Sequence, residues 1–144
     1  MKPGIYSEEL KALASSIDGK VDISSCQFNL ERDNPFCGDR VKLGIDLKKD
    51  RVCRVQILVR ACLICRAAAA TLQKSVVGLP ISDLIILSGK LKNMLSEGDL
   101  SAESFQRPWQ NLDIFCPVSA HPSRHSCVLL PFTTLSELLV ITRE

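Results

Sequence analysis

The sequence predicts an α+β fold: a three-stranded antiparallel sheet with one face covered by about four to five helices. Three observations predict it. Apolar residues alternate with period two through residues 26–31, 41–48 and 53–59. The spacing turns helical from Cys62 onward, through the run Ala67 to Ala70. At 144 residues, 46% apolar and 24% charged, the chain has material for one core, and a single domain over 1–144 is expected.

Taken in order, Ser7 caps a short helix to about Ser16, with Leu10, Leu13 and Ile17 on one stripe. Asp18-Gly19 is a turn signal. The first strand sets Cys26, Phe28 and Leu30 against Gln27, Asn29 and Glu31. In the second, Val41, Leu43, Ile45 and Leu47 form the apolar side. Lys49-Asp50 turns the chain, and Cys53, Val55, Ile57 and Val59 continue on one face of the third. That apolar face requires a helical layer. A helix follows from Cys62 to about Val77, stopped by Gly78, and Pro80 opens the next, which runs to Gly98. Residues 99–108 are polar, and Trp109, Leu112 and Phe115 fall three apart as an apolar plug. A loop is expected from Pro117 to Pro122, then a last helix from about Cys127 to Thr142 whose first turn holds Pro131.

Net charge is +2, which gives no electrostatic case for a nucleic-acid partner. Arg60 and Arg66 interrupt the most promising apolar run, so no membrane-spanning segment is expected. Met1-Lys2-Pro3-Gly4-Ile5-Tyr6 lacks the apolar stretch of a signal peptide. These features lead us to expect a cytoplasmic protein with reduced thiols.

Seven cysteines stand at 26, 37, 53, 62, 65, 116 and 127, an odd number that matches no disulfide framework. Cys26 and Cys53 occupy apolar strand positions and read as small buried hydrophobes, and Cys116 as packing. Asn34-Pro35-Phe36-Cys37-Gly38-Asp39 is a turn that sets a thiol two residues from a carboxylate. Taken alone it reads first as an ordinary turn between strands. A soft sulfur beside a hard oxygen suits zinc or iron. Cys62 begins one helix and Cys127 lies at or near the start of another, where free N–H groups favour thiolates. If both helices pack on the apolar face, Cys37, Asp39, Cys62 and Cys127 form a four-ligand set. Cys65, one turn from Cys62, is either an auxiliary thiol or core packing. His121 and His125 precede the last cysteine and read first as loop histidines, His125 being the better placed as a ligand, and Arg124, by default a solvated surface arginine, can hold a thiolate or carboxylate.

Together the Cys-Gly-Asp loop, the strand hairpin, Cys62 opening an alanine-rich helix and the late Cys127 resemble the IscU/NifU-type iron–sulfur cluster assembly scaffolds over roughly residues 24–140. The chain has no Leu-Pro-Pro-Val-Lys segment before Cys127. It reads Pro122-Ser123-Arg124-His125-Ser126-Cys127, after an added stretch at about residues 96–116, as in the SufU branch. It departs from the family at Ala61, where glycine is usual, at Gly78-Leu79, where Gly-Lys is usual, at Cys65, which replaces a small residue, and in its N-terminal segment.

The resemblance implies a SufE/NifU-like fold and zinc held by Cys37, Asp39, Cys62 and Cys127. It also implies sulfur acceptance from a cysteine desulfurase, with Cys37 taking the persulfide. Two functions use the same residues. One is a scaffold that builds an iron–sulfur cluster and passes it to recipient apo proteins or carriers. The other is a zinc-dependent sulfurtransferase that activates the desulfurase. A structural zinc domain is a third reading, disfavoured by Asp39 because closed structural sites use cysteine and histidine. A cysteine hydrolase is weaker still, since no positioned base accompanies the thiols. A monomer or weak dimer is expected.

Overall fold

The computed structural model describes residues 5–17, 21–35, 38–97 and 109–143. Its sheet is an antiparallel meander of β1 (Phe28–Asp33), β2 (Arg40–Lys48) and β3 (Arg51–Arg60), in the order β1-β2-β3. Leu30 pairs with Leu43 and Leu43 with Ile57, while Ile45 pairs with Val55, so branched apolar side chains stack across one face. Val41, Leu43, Ile45 and Ile57 are fully buried there.

Helices α1 (Glu8–Ser15), α2 (Leu63–Ser75), α3 (Ile81–Glu97) and α4 (His125–Thr142) supply the covering layer. Together with the 3₁₀ segments they give the predicted α+β architecture. Ser7 caps α1, its hydroxyl accepting the Leu10 N–H at 3.1 Å. In α2, Ala67, Ala68, Ala69 and Ala70 are buried, and their small side chains let the backbones of α1 and α4 approach. Gly78 takes φ +90, a conformation glycine adopts without strain, as its N–H bonds the Val52 carbonyl at 2.7 Å. Trp109, Leu112, Phe115 and Val118 fall three apart on a 3₁₀ segment, Trp109–Ala120. Three residues per turn brings all four to one buried stripe, and Trp109 meets Phe132 edge-on at 5.9 Å. The turn at Asp18-Gly19 and the polar stretch 99–108 lie outside the described residues.

The structure corrects several expectations. Cys53 is exposed, not buried. Asp46 pairs with Arg54 but Leu47 with Val52, so Cys53 is the extra residue of a β-bulge and Val52 takes the core position. Phe28 is 38% exposed on the edge strand rather than packed. Cys26 precedes β1 and is buried on the other face of the sheet, beside Ile23 and Gly44. That face is therefore partly covered by the turn Ile23–Ser25, which Asp46 and Arg54 fasten through Gln27 N–H (2.7 Å) and Ser25 Oγ (2.9 Å). Burial raises the Cys26 thiol pKa, which keeps it protonated and inert.

The expected loop at 117–122 is largely 3₁₀, and α4 starts earlier than Cys127, which places Pro131 in its second turn. Pro131 has no N–H to offer the Cys127 carbonyl. Thr133 and Thr134 return their hydroxyls to the Leu130 carbonyl at 3.1 and 2.7 Å beside it. The segment Pro122–Thr142 is also long and apolar enough to cross a membrane by length and composition, against the expectation from the sequence. Half of its apolar window is buried inside the fold, where it serves as the central core helix.

A Cβ at position 44 would lie 2.8 Å from Cys26 Sγ and 3.0 Å from Ile23 Cγ2. Gly44→Ala should therefore cost about 1–2 kcal/mol of stability. Urea unfolding of a double-mutant cycle checks this: the penalty should shrink in a Cys26→Ala background, and equal penalties in both would refute the contact.

Candidate metal centre

At one end of the sheet Asp33, Arg40 and Arg60 lie in register, so the β1–β2 loop and the exit of β3 are neighbours. Two backbone hydrogen bonds close the loop: Asn34 N–H donates to the Asp39 carbonyl at 2.8 Å and Gly38 N–H to the Asn34 carbonyl at 2.9 Å. Gly38 sits at φ +76, where a residue with a Cβ would be strained. That turn drives the Asp39 side chain inward, where it is only 2% exposed.

A buried carboxylate needs hydrogen-bond donors. Asp39 Oδ1 accepts the Cys62 N–H at 2.9 Å, and Oδ2 lies 3.6 Å from Cys62 Sγ. Cys62 is the N-cap residue of α2, and Cys127, fully buried, is in the first turn of α4. The two helix starts thus face one loop. A carboxylate oxygen of Asp39 and the sulfurs of Cys62 and Cys127 all lie within 4.8 Å of one another. A zinc–sulfur bond is about 2.3 Å, so two sulfurs on one ion stand roughly 3.8 Å apart. Donor chemistry and spacing both fit such an ion, and soft thiolates suit iron as well.

The electrostatics favour an ionised Cys62. Its thiol pKa is lowered to about 7, first by the hydrogen bond from Cys127, with help from the N–H groups of Cys65 and Ile64 at the start of α2. Burial and the Asp39 charge act against this. Arg124, on the exposed turn before α4, has its pKa raised, first by Tyr6, then by the hydrogen bond and charge of Cys127 and the charge of Cys62. Its positive charge thus acts on both thiols.

Of the residues singled out from sequence, the structure brings Asp39, Cys62 and Cys127 together, and Arg124 interacts electrostatically with both thiols. Cys37 lies outside the described residues. Cys65 is fully buried in the core, and its backbone N–H helps to lower the Cys62 pKa. His125 opens α4 but turns Nε2 to the Ser119 carbonyl at 3.0 Å, and neither it nor His121 belongs to the convergent group. Cys116 is half-buried, packed against the core. The six described cysteines form no disulfide. Sequence reasoning missed a contact from Asn34 to Ser126, Nδ2 to Oγ at 2.7 Å, which only the tertiary fold creates.

No protein-family model matches the chain, and no curated relative is found by sequence. Solved structures do match. One is a protein described as an iron–sulfur cluster assembly scaffold for the SUF system from Fervidobacterium islandicum, at TM-score 0.82 and 23% identity, covering 94% of this chain and 96% of that one. Another is the N-terminal part of a NifU-like protein from Brucella abortus, at TM-score 0.86 and 18% identity, covering 97% and 96%. A third is a hypothetical protein at TM-score 0.70 and 18% identity, covering 91% and 93%. At these identities the likeness is one of fold: the chain has the fold of the SufU and NifU-like scaffold proteins.

In metal-free protein, alkylation of Cys62 by iodoacetamide should rise with pH about a midpoint near 7, because the thiolate is the reactive form. Cys127→Ala removes the main stabiliser of that thiolate and should move the midpoint up. Asp39→Asn removes an opposing charge and should move it down. Peptide mapping by mass spectrometry reads all three, and midpoints near the ordinary thiol value in every variant would contradict the arrangement.

Proposed function

We propose that this chain, built on the fold of the SufU and NifU-like scaffolds, is a single-domain iron–sulfur cluster assembly protein of the SUF type. It holds a metal or nascent cluster on Cys37, Asp39, Cys62 and Cys127, and takes sulfur from a cysteine desulfurase in the reducing cytoplasm. The observation that carries this reading is the convergence of Asp39, Cys62 and Cys127 within 4.8 Å at the open end of the sheet. A zinc ion bound there would keep the thiols ionised and protected until sulfur arrives.

The residues divide the work. Asp39, the one hard ligand of the set, is the natural leaving position, because a carboxylate grips iron or zinc in a thiolate site less firmly than a fourth sulfur. Cys62, half-exposed and with its thiol pKa lowered, is poised to bind soft metal. Cys127 is buried and fixed by the first turn of α4. Arg124 offers a fixed positive charge at the mouth, suited to an incoming persulfide anion. In the transfer step, the Cys37 thiolate attacks the outer sulfur of the desulfurase persulfide. A new S–S bond forms on Cys37, the old one breaks, and the desulfurase cysteine leaves as thiolate.

Metal and acid-labile sulfide analysis of protein purified without oxygen tests this reading. Iron with matching sulfide in the wild type, increased or retained longer in Asp39→Ala and lost in Cys37→Ser, is the result expected of a scaffold. About one zinc per chain without sulfide, and persulfide on Cys37 after incubation with a desulfurase and cysteine, would favour the zinc-dependent sulfurtransferase. Neither metal in the wild type would overturn the proposal.

A further inference from the structure

We propose that Asn34 is a positioning residue: its side chain latches the Asp39 loop to the start of α4, setting the distance between the Asp39 carboxylate and the Cys127 sulfur. The inference rests on the metal-site reading above and assigns what holds that site in register.

Asn34 is 5% exposed, although it opens a surface turn. Its backbone bonds to Asp39 and Gly38 within that turn. Its side chain reaches across 92 residues of sequence, and Nδ2 donates to Ser126 Oγ at 2.7 Å. Ser126 immediately precedes Cys127. From there the contacts run on without a gap: Ser126 to the Asn34 side chain, Asn34 N–H to the Asp39 carbonyl, Asp39 Oδ1 to the Cys62 N–H. One hydrogen-bonded path thus joins the three elements that each contribute one donor atom. Cys62 and Cys127 belong to different helices, and this path ties the Asp39 loop to the start of both. Groups that orient metal ligands from behind typically change affinity by about 10–100-fold when removed.

The test uses Ser126→Ala, which leaves the Asp39 turn chemically intact, together with Asn34→Ala and the double variant. Amide hydrogen exchange of metal-free protein should quicken at Gly38 and Cys62 in Ser126→Ala, while the β2–β3 amides keep their wild-type protection. Cobalt(II) affinity, read from the thiolate charge-transfer band, should fall roughly tenfold in either single variant and little further in the double. Unchanged exchange, or uniform acceleration across the sheet, would overturn the latch, as would wild-type cobalt affinity in both single variants. A wild type that binds no cobalt would instead overturn the metal-site reading, with the exchange pattern still deciding whether the latch exists.

Discussion

The carboxylate of Asp39 is the constraint on which the rest of the site depends. It is buried, and a buried carboxylate is costly unless donors surround it. One donor it finds is the Cys62 N–H, among the orphan amides that every helix start leaves unsatisfied. A single bond of 2.9 Å thus removes two liabilities and sets a sulfur beside an oxygen. The cost is electrostatic: the same carboxylate opposes ionisation of Cys62, while Cys127 and the start of α2 favour it. Two thiols and a carboxylate within 4.8 Å repel one another once charged, and a soft cation relieves that repulsion.

This geometry is possible only because two helices begin at the same end of the sheet. Cys62 is there because β3 ends beside the β1–β2 loop and α2 starts at once. Cys127 is there because α4 packs against α2, α3 and β1. Alanines at 67–70 give α2 a low profile, so α1 lies on one side and α4 on another without displacing the sheet. Core packing therefore fixes the helix axes, and a short path of hydrogen bonds sets the final spacing of the donor atoms.

Much of this was legible in the sequence, for identifiable reasons. Period-two runs in β2 and β3 and the alanine run in α2 are strong local signals, and they located the sheet, the second helix and the order of the cysteines. The failures came where one residue breaks a period or where tertiary packing overrides a preference. The bulge at Cys53 shifts its strand by one place, which turns that thiol outward and Val52 inward. Pro131 looks like a first-turn residue, yet the preceding 3₁₀ turn, Pro122–Arg124, starts α4 earlier and carries the proline into the helix. Asn34 and Ser126 lie too far apart in sequence for any spacing rule to pair them. The types of the converging donor residues could be read from the chain, whereas the contact between Asn34 and Ser126 could not.

X-ray absorption at the edge of the metal carried by anaerobically purified protein probes the central claim most directly, because it reports the donor set itself. With zinc bound, the account predicts about three sulfurs near 2.3 Å and one oxygen near 2.0 Å, and Asp39→Ala should remove the oxygen scatterer while leaving the sulfurs. A first shell made only of nitrogen and oxygen, or a wild-type spectrum unaltered by Asp39→Ala, would contradict it.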